Sequence, residues 1–278
     1  MGRVRDGCGT CPSLVCRYHG WAYDLEGRLK QARDFGDEDL EQSELNLHPI
    51  AVAEWRGLVF VNLDVNATPF EEAHAALVAQ CADLPMDELE HSHQLAHSVG
   101  ANWKTYTDNY GEGYHIPLVH PELNREIDAK RYRVDVHDHF TVHSAPARDG
   151  AVNAGTWIWQ FPNLALNLYP GGMVVERFVP VGPAETRVLY DYCFADRSDA
   201  AVEANAAVER VGVAVLAEDR VICEAVQQNL ESGAYVDGIL SPRHEAGVFA
   251  FQTWVRDALE TYASESAGSS SSDSELMQ

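Results

Sequence analysis

The spacing of apolar residues along the 278-residue chain changes period more than once. Up to about residue 64, aromatic and aliphatic residues alternate among glycines. This stretch ends in Trp55-Arg56-Gly57-Leu58-Val59-Phe60-Val61-Asn62-Leu63, which predicts a strand and a small β domain over 1–64. Over 69–84, Phe70, Ala73, Ala76, Leu77 and Cys81 recur at near-helical spacing, with Thr68 as N-cap and Pro69 at the first helical position. Strand-like runs return at 132–137, 156–161, 164–169, 173–181 and 186–194, separated by Pro and Gly, and predict an antiparallel sheet. Residues 199–230, dense in Ala, Val and Glu without Pro, predict a long helix or a helical pair, and a last helix spans about 244–262. The segment 263–278, with Ser269-Ser270-Ser271-Ser272, lacks the apolar content to pack and is predicted to be disordered. The fold class is therefore α+β: an all-β domain over 1–64, an antiparallel-sheet domain with a long C-terminal helix over 65–262, and an acidic Ser-rich tail.

Charge narrows the function classes. With 20 basic against 43 acidic side chains the formal net charge is -23, which leaves no electropositive groove for a phosphate backbone and excludes nucleic acid as a partner. No apolar run approaches the roughly 18 residues of a membrane helix, and no charged start leads into an apolar h-region. A cytoplasmic chain with no membrane partner is the expectation. Only Lys30, Lys104 and Lys130 are lysines. Few lysines among many carboxylates suit a surface that is kept soluble at high salt, where counter-ions screen self-repulsion.

The six cysteines are unevenly placed. Cys81, Cys193 and Cys223 stand singly in apolar or helical surroundings and read as core thiols, whereas Cys8, Cys11 and Cys16 crowd the N-terminus. In Cys16-Arg17-Tyr18-His19-Gly20-Trp21 a thiolate and an imidazole lie three positions apart in a tight Gly-containing loop. They can converge on metal, and mixed Cys/His ligation is what a Rieske [2Fe-2S] centre uses. With the following Ala22-Tyr23, this string resembles the second half of the cluster motif in Rieske non-haem iron oxygenases. The resemblance implies that Cys16 and His19 each hold a different iron of a [2Fe-2S] cluster, in a partial Rieske domain. The family's earlier Cys-x-His pair is not in this sequence and is expected in frame upstream of codon 1. The other reading of the same residues is a Cys₃His zinc set from Cys8, Cys11, Cys16 and His19.

A second constellation is Asn102-Trp103-Lys104-Thr105-Tyr106-Thr107-Asp108-Asn109-Tyr110-Gly111-Glu112-Gly113-Tyr114-His115-Ile116-Pro117-Leu118-Val119-His120-Pro121. Two histidines five apart on an unbroken helix would point about 140° apart. If Pro117 ends the helix after His115, His120 can swing back and both imidazoles can reach one ion. Two neutral imidazoles and one carboxylate on a single face form an Fe(II) site with open positions, the ordinary alternative being two loop or core histidines. The full string resembles the catalytic motif of the same oxygenase family. Within the long helix, residues 217–230 resemble its C-terminal segment, whose acidic ligand carries over to Asp219. Glu218 faces another way on a helix and reads as a solvated charge. Glu112 lies one helical turn before His115. By resemblance it is the acid that bridges the iron histidine to the Rieske histidine of a neighbouring subunit, and a Glu there resembles the branch acting on choline, carnitine and glycine betaine. Asn109 is placed near the same site.

The resemblance implies a helix-grip (START-like) catalytic domain holding mononuclear Fe(II) through His115, His120 and Asp219. It also implies a homotrimer or a multiple of it, and electrons from an NAD(P)H-dependent reductase or ferredoxin. O₂ would be used to hydroxylate a small substrate, expected to be a quaternary ammonium compound. Trp157, Trp159, Phe161 and Tyr169 could supply aromatic faces for such a cation. An aromatic-ring dioxygenase is the alternative within the family. A non-catalytic helix-grip module with a zinc-bound N-terminus is the alternative outside it. No Gly-rich nucleotide loop, serine nucleophile elbow or flavin site is present in the sequence.

The charge balance has a measurable consequence. The thermal midpoint of unfolding is expected to rise steeply between dilute buffer and molar KCl, and a scan that shows an unchanged midpoint rejects salt adaptation.

Overall fold

A computed structural model of the chain describes residues 7, 9–34, 41–152, 154–235 and 238–272; Cys8 and the last six residues of the expected tail lie outside them. The chain divides into two compact units, Met1–Val78 and Ala79–Gln278.

In the first unit β1 (Leu14–Val15), β2 (Ala22–Tyr23) and β3 (Leu29–Gln31) make a three-stranded antiparallel sheet. The run over 55–63 is not one strand. It contains the turn between β4 (Ala51–Trp55) and β5 (Leu58–Asn62). Arg56 and Gly57 both have positive φ, 52° and 77°, as the tight turns that match strand twist require. Phe70 stacks at 4.3 Å on Phe60 and 5.8 Å from Trp55. These contacts draw α1 (Phe70–Ala73) into the first unit and set the boundary later than the 64/65 division read from the pattern. The helix expected over 69–84 is broken at His74 into α1 and α2 (Ala75–Gln80). Pro69, not Thr68, is the N-cap residue, and no side chain caps α1.

The second unit is built on a seven-stranded antiparallel sheet. Its strands are β6 (Glu90–Val99), β7 (Arg133–Val136), β8 (Phe140–Ser144), β9 (Thr156–Gln160), β10 (Leu164–Tyr169), β11 (Gly172–Gly182) and β12 (Glu185–Phe194). They lie in the order β6-β12-β11-β10-β9-β8-β7. The expected strands are present, and β6 and β8 are additional. β6 is an edge strand whose sequence, EHSHQLAHSV, buries only its last residue, so its apolar alternation is faint.

Register decides which residues share a face, because directly opposed residues point the same way. Trp157 pairs with Asn167, Asn167 with Val174, Ala165 with Glu176, and Glu176 with Tyr190. Trp157, Asn167, Val174, Glu176 and Tyr190 therefore stand on one face, together with Phe178 and Tyr192 of the main core. Helices α3 (Trp103–Tyr110), α6 (Val202–Glu231) and α7 (Ala246–Ser272) pack there, α3 touching both α6 and α7. Residues 199–230 thus form one helix and not a pair. On α6 the buried positions are Val208, Leu216, Asp219, Cys223 and Gln227, a stripe at steps of three, four and eight that faces the sheet. A carboxylate stands in the middle of it. Two short helices, α4 (Ile116–Val119) and α5 (Leu123–Glu126), follow α3. The backbones of α3 and α7 approach so closely that a Cβ on Gly247 would lie 2.3 Å from the Gly111 carbonyl oxygen, a distance only glycine permits.

Helix α7 continues to Ser272, so 263–272 extend the last helix where disorder was expected. Near that extension Thr261 Oγ1 donates to the Asp257 carbonyl oxygen and Ser264 Oγ to that of Thr261. Among the described residues no helix is long and apolar enough to cross a membrane.

Asn102 fixes the start of α3. Its side chain accepts from the Lys104 backbone N–H at 3.0 Å and donates through Nδ2 to the Pro183 carbonyl oxygen at 2.7 Å. Asn102→Ala is expected to cost about 1 kcal/mol and to lower the thermal midpoint by roughly 2–4 °C for a unit of this size, as a scanning calorimeter would register.

Candidate metal centre

The histidine pair is formed differently from the arrangement the sequence suggested. Helix α3 ends at Tyr110 with Gly111 as its cap, so neither histidine lies on it. Pro117 does not terminate a helix. It sits in the first turn of α4, where its missing N–H costs nothing. His115 is the N-cap of that four-residue helix and His120 the C-cap. The two imidazoles therefore flank one turn, and their Nε2 atoms lie 3.0 Å apart. The His120 backbone N–H, donating to the Ile116 carbonyl oxygen at 3.0 Å, fixes the return.

Asp219 reaches the pair from α6, its Oδ1 lying 3.0 Å from His120 Nε2 and 3.6 Å from His115 Nε2. His115, His120 and Asp219 each present one ligand atom within 4.8 Å of the others. His120 is 1% exposed and Asp219 8%. Asn109, from the last turn of α3, donates through Nδ2 to Asp219 Oδ1 at 2.7 Å and holds its rotamer.

Each imidazole is oriented from behind by a carboxylate. Glu112 Oε1 lies 2.5 Å from His115 Nδ1, and Glu218 Oε2 lies 2.8 Å from His120 Nδ1. An ionised carboxylate only accepts, so both Nδ1 atoms carry the proton and both Nε2 atoms of the neutral rings present lone pairs. Burial alone lowers the His120 pKa, but Asp219 and Glu218 outweigh it and hold the ring above its ordinary value, so a metal at Nε2 displaces a proton that Asp219 favours there. With that proton gone, three acceptors face one another at these separations and repel unless a cation lies between them. Two imidazoles and one carboxylate suit Fe(II) by ligand type, so the residues fit a mononuclear iron site.

Glu112 is in the loop between α3 and α4 and not one turn earlier on a shared helix; its other oxygen accepts from the Tyr114 and His115 backbone N–H groups. Glu218, which the sequence pattern assigns to solvent, is the partner of His120. At the helical step of about 100° it is adjacent to Asp219 around α6, so it approaches the C-cap histidine from the side.

The three ligand atoms open onto a cavity of about 120 Å³. Tyr106 and Tyr110 of α3, Trp157, Tyr169 and Tyr190 of the sheet, and Val208, Val211 and Val215 of α6 are among its walls. Of the four aromatic residues expected to face a ligand, Trp157 and Tyr169 do so. Trp159 and Phe161 instead pack with Trp254, and Trp159 also with Phe251, because α7 covers that end of β9. Tyr106 and Tyr110 of the 102–121 motif and Asn167 also line the cavity, as do Glu176 and Tyr190, to which no motif pointed.

In the first unit Gly20, with φ of 77°, closes the loop in which Cys16 N–H donates to the Trp21 carbonyl oxygen and Gly20 N–H to that of Cys16. Cys16 is buried and His19 exposed. Among the described residues no third ligand joins them, and a [2Fe-2S] cluster takes four. The described residues fit the iron site and do not complete the cluster site. Cys11 is half-buried, and a zinc set through Cys8 falls outside the described residues.

Residues 86–153 and 143–261 match the family model of the ring hydroxylating alpha subunit catalytic domain. The chain is 28% identical to the chloroplastic choline monooxygenase of Atriplex hortensis over 91% of its own length and 61% of that protein. It is 29% identical to the carnitine monooxygenase oxygenase subunit of Escherichia coli K12, over 80% of this chain and 63% of that one. The chain thus spans about three fifths of the length of these relatives. A solved quaternary ammonium Rieske monooxygenase superposes with a TM-score of 0.78 at 25% identity, over 91% of this chain and 74% of that one.

Glu218→Ala removes the acceptor behind His120 without touching a ligand atom. It is expected to weaken Fe(II) binding by roughly 10–100-fold, measured by anaerobic equilibrium dialysis.

Proposed function

The chain belongs to the ring-hydroxylating alpha-subunit family, and from that premise we propose that it is the catalytic subunit of a Rieske-type oxygenase that hydroxylates a small quaternary ammonium compound. The observation that carries this reading is the convergence of His115 Nε2, His120 Nε2 and Asp219 Oδ1 on one point at the wall of an aromatic-lined cavity. Those three residues hold Fe(II), which supplies the reductive activation of O₂ that organic side chains cannot perform. In the overall reaction O₂ takes up two electrons and two protons, one oxygen atom enters a substrate C–H bond, and the other leaves as water. The electrons come from outside, through an NAD(P)H-dependent reductase or a ferredoxin.

The chain's own groups prepare the site for that chemistry. Glu112 and Glu218 keep the Nδ1 protons in place, so that both Nε2 lone pairs stay directed at the metal. Asn109 takes one lone pair of Asp219 Oδ1 and keeps that carboxylate from turning away. Valines of α6 and the sheet aromatics exclude water and leave apolar surface for methyl groups. Glu112 is partly accessible, and its place behind His115 supports a second role as the contact to a neighbouring subunit in a head-to-tail ring, a heterologous interface that closes.

The relatives are named for choline and carnitine, which favours these two or the similar cation glycine betaine over an aromatic acid. The 278-residue chain is expected to take up about one Fe(II) per chain and to form no stable [2Fe-2S] absorption, with His115→Ala abolishing iron uptake. Calorimetric titration of the iron-loaded chain is expected to show binding of one of these three cations. Binding of benzoate in their place would turn the reading towards an aromatic-ring dioxygenase, and zinc uptake with no iron would turn it towards a non-catalytic module.

A further inference from the structure

Glu176 is the acidic residue of the cavity that the iron site does not use. It lies on β11, 5% exposed, on the sheet face that α3 and α6 cover. Asn167 Nδ2 donates to its Oε1, Tyr190 hydrogen-bonds to it, and Asn167 in turn accepts from Tyr110 Oη at 2.6 Å. Glu112 and Asp219 are engaged with imidazoles. Glu176 has no ion pair among the described residues, and no lysine or arginine lines the cavity.

A carboxyl group buried without a cationic partner is costly to ionise. Two dipolar neighbours, Asn167 and Tyr190, aim hydrogen-bond donors at Glu176 and lower that cost without cancelling the charge. Tyr110 and Tyr190 interact with it, and Trp157, Val174 and Val208 line the same cavity. A quaternary ammonium group has no N–H to donate and spreads its charge over methyl groups, so it is recognised by aromatic and apolar surface together with a nearby anion. We propose that Glu176 is the counter-charge of the substrate subsite, seating a quaternary ammonium group between its carboxylate and the Tyr110, Tyr190 and Trp157 rings of the same cavity. This assignment rests on the reading of the cavity as the site of a quaternary ammonium compound, and it names the residue that makes the site selective for charge. Glu176 anchors the cation on the sheet while His115, His120 and Asp219 stand on the helical side, so the remainder of the substrate extends towards the metal ligands.

Burial, with a contribution from the Asp219 charge, pushes the Glu176 carboxyl up to about 8, although the Asn167 and Tyr190 hydrogen bonds pull it back. The groups facing it are Tyr106 and Tyr110 from α3, Asn167 from β10, Tyr190 and Tyr192 from β12 and Asp219 from α6. The tyrosines are all raised above their ordinary value and stay neutral. The neutral acid of the ligand-free pocket therefore loses its proton as the cation enters. Affinity for a cation is expected to rise as the pH climbs towards 8.

The test compares choline with its uncharged carbon isostere 3,3-dimethyl-1-butanol, by calorimetry on the iron-loaded chain. The unaltered protein is expected to prefer choline by tenfold or more, with choline affinity climbing from pH 6 to 8 and isostere affinity flat. Glu176→Gln keeps the size and hydrogen bonding of the side chain. It is expected to lower choline affinity 10–100-fold, remove its pH dependence and leave isostere binding within twofold. Equal loss of both ligands in the variant, or undiminished preference for choline, overturns the assignment while leaving the substrate class standing. Should the variant not fold, the unaltered chain decides by its preference for choline over the isostere, since equal affinity for the two refutes the role. Binding of benzoate and of none of the cations overturns the reading of the site and this assignment with it.

Discussion

Two imidazole nitrogens and one carboxylate oxygen, all acceptors, are held within a few ångströms of one another in a largely buried site, and the rest of the second unit is arranged to make that possible. The approach is unfavourable for the bare protein, because each group has surrendered water and faces like polarity. It persists because each group is fixed from behind: His115 by Glu112, His120 by Glu218, Asp219 by Asn109. Those three supports come from the loop after α3, from α6 and from α3 respectively. Packing of α3 against α6 is thus a condition for the site, and Gln227 Oε1, accepting from the Asn102 N–H at 2.9 Å, ties the two helices together a little over two turns away from Asp219.

The sheet contributes a different kind of constraint. Its period of two places Trp157, Asn167, Val174, Glu176 and Tyr190 on one face, and the helices close over them. The resulting cavity has a metal-ligand set on one side and a carboxyl group on the other, with tyrosines between. The tyrosines stay neutral and, among the described residues, no lysine or arginine lines the cavity, so apart from the two histidines its charge comes from carboxylates. That polarity is what supports the cationic substrate proposed above.

How much of this could be read in the sequence depends on whether a residue's role is local. His115, His120 and Cys16 announce themselves through short spacings, and the strands over 164–169 and 186–194 through alternation; the structure has these strands at nearly the same bounds. The placement of Asp219 in the stripe Val208, Leu216, Cys223 is also a local signal, since a carboxylate at a core position needs a reason. Glu218 carries no such signal, because its partner is 98 residues away in sequence and stands beside the stripe instead of beneath it. Glu176 sits in Met-Val-Val-Glu-Arg-Phe-Val, where both faces of β11 are apolar, so the phase that points it inward appears only with the register. The hairpin hidden in 55–63 escaped for a simpler reason: Arg is an unusual residue at positive φ, and its turn is recognisable only through Gly57.

Burial by itself does not determine what a histidine can do in this fold. His143 is wholly buried on β8, between Tyr132 Oη at 3.0 Å from Nδ1 and Thr141 Oγ1 at 2.8 Å from Nε2. Desolvation pushes its pKa down to about 3. Both of its nitrogens are committed to hydroxyls, which donate or accept as needed, so the ring is neutral, satisfied and unable to bind anything further. His120 is buried almost as deeply but is backed by a carboxylate, which accepts and never donates. That difference alone assigns the proton to Nδ1 and leaves Nε2 facing Asp219. The hydroxyl partners make one histidine a structural element, and the carboxylate partner leaves the other able to take a metal. The choice between Thr, Tyr and Glu behind each ring is therefore what separates scaffold from site.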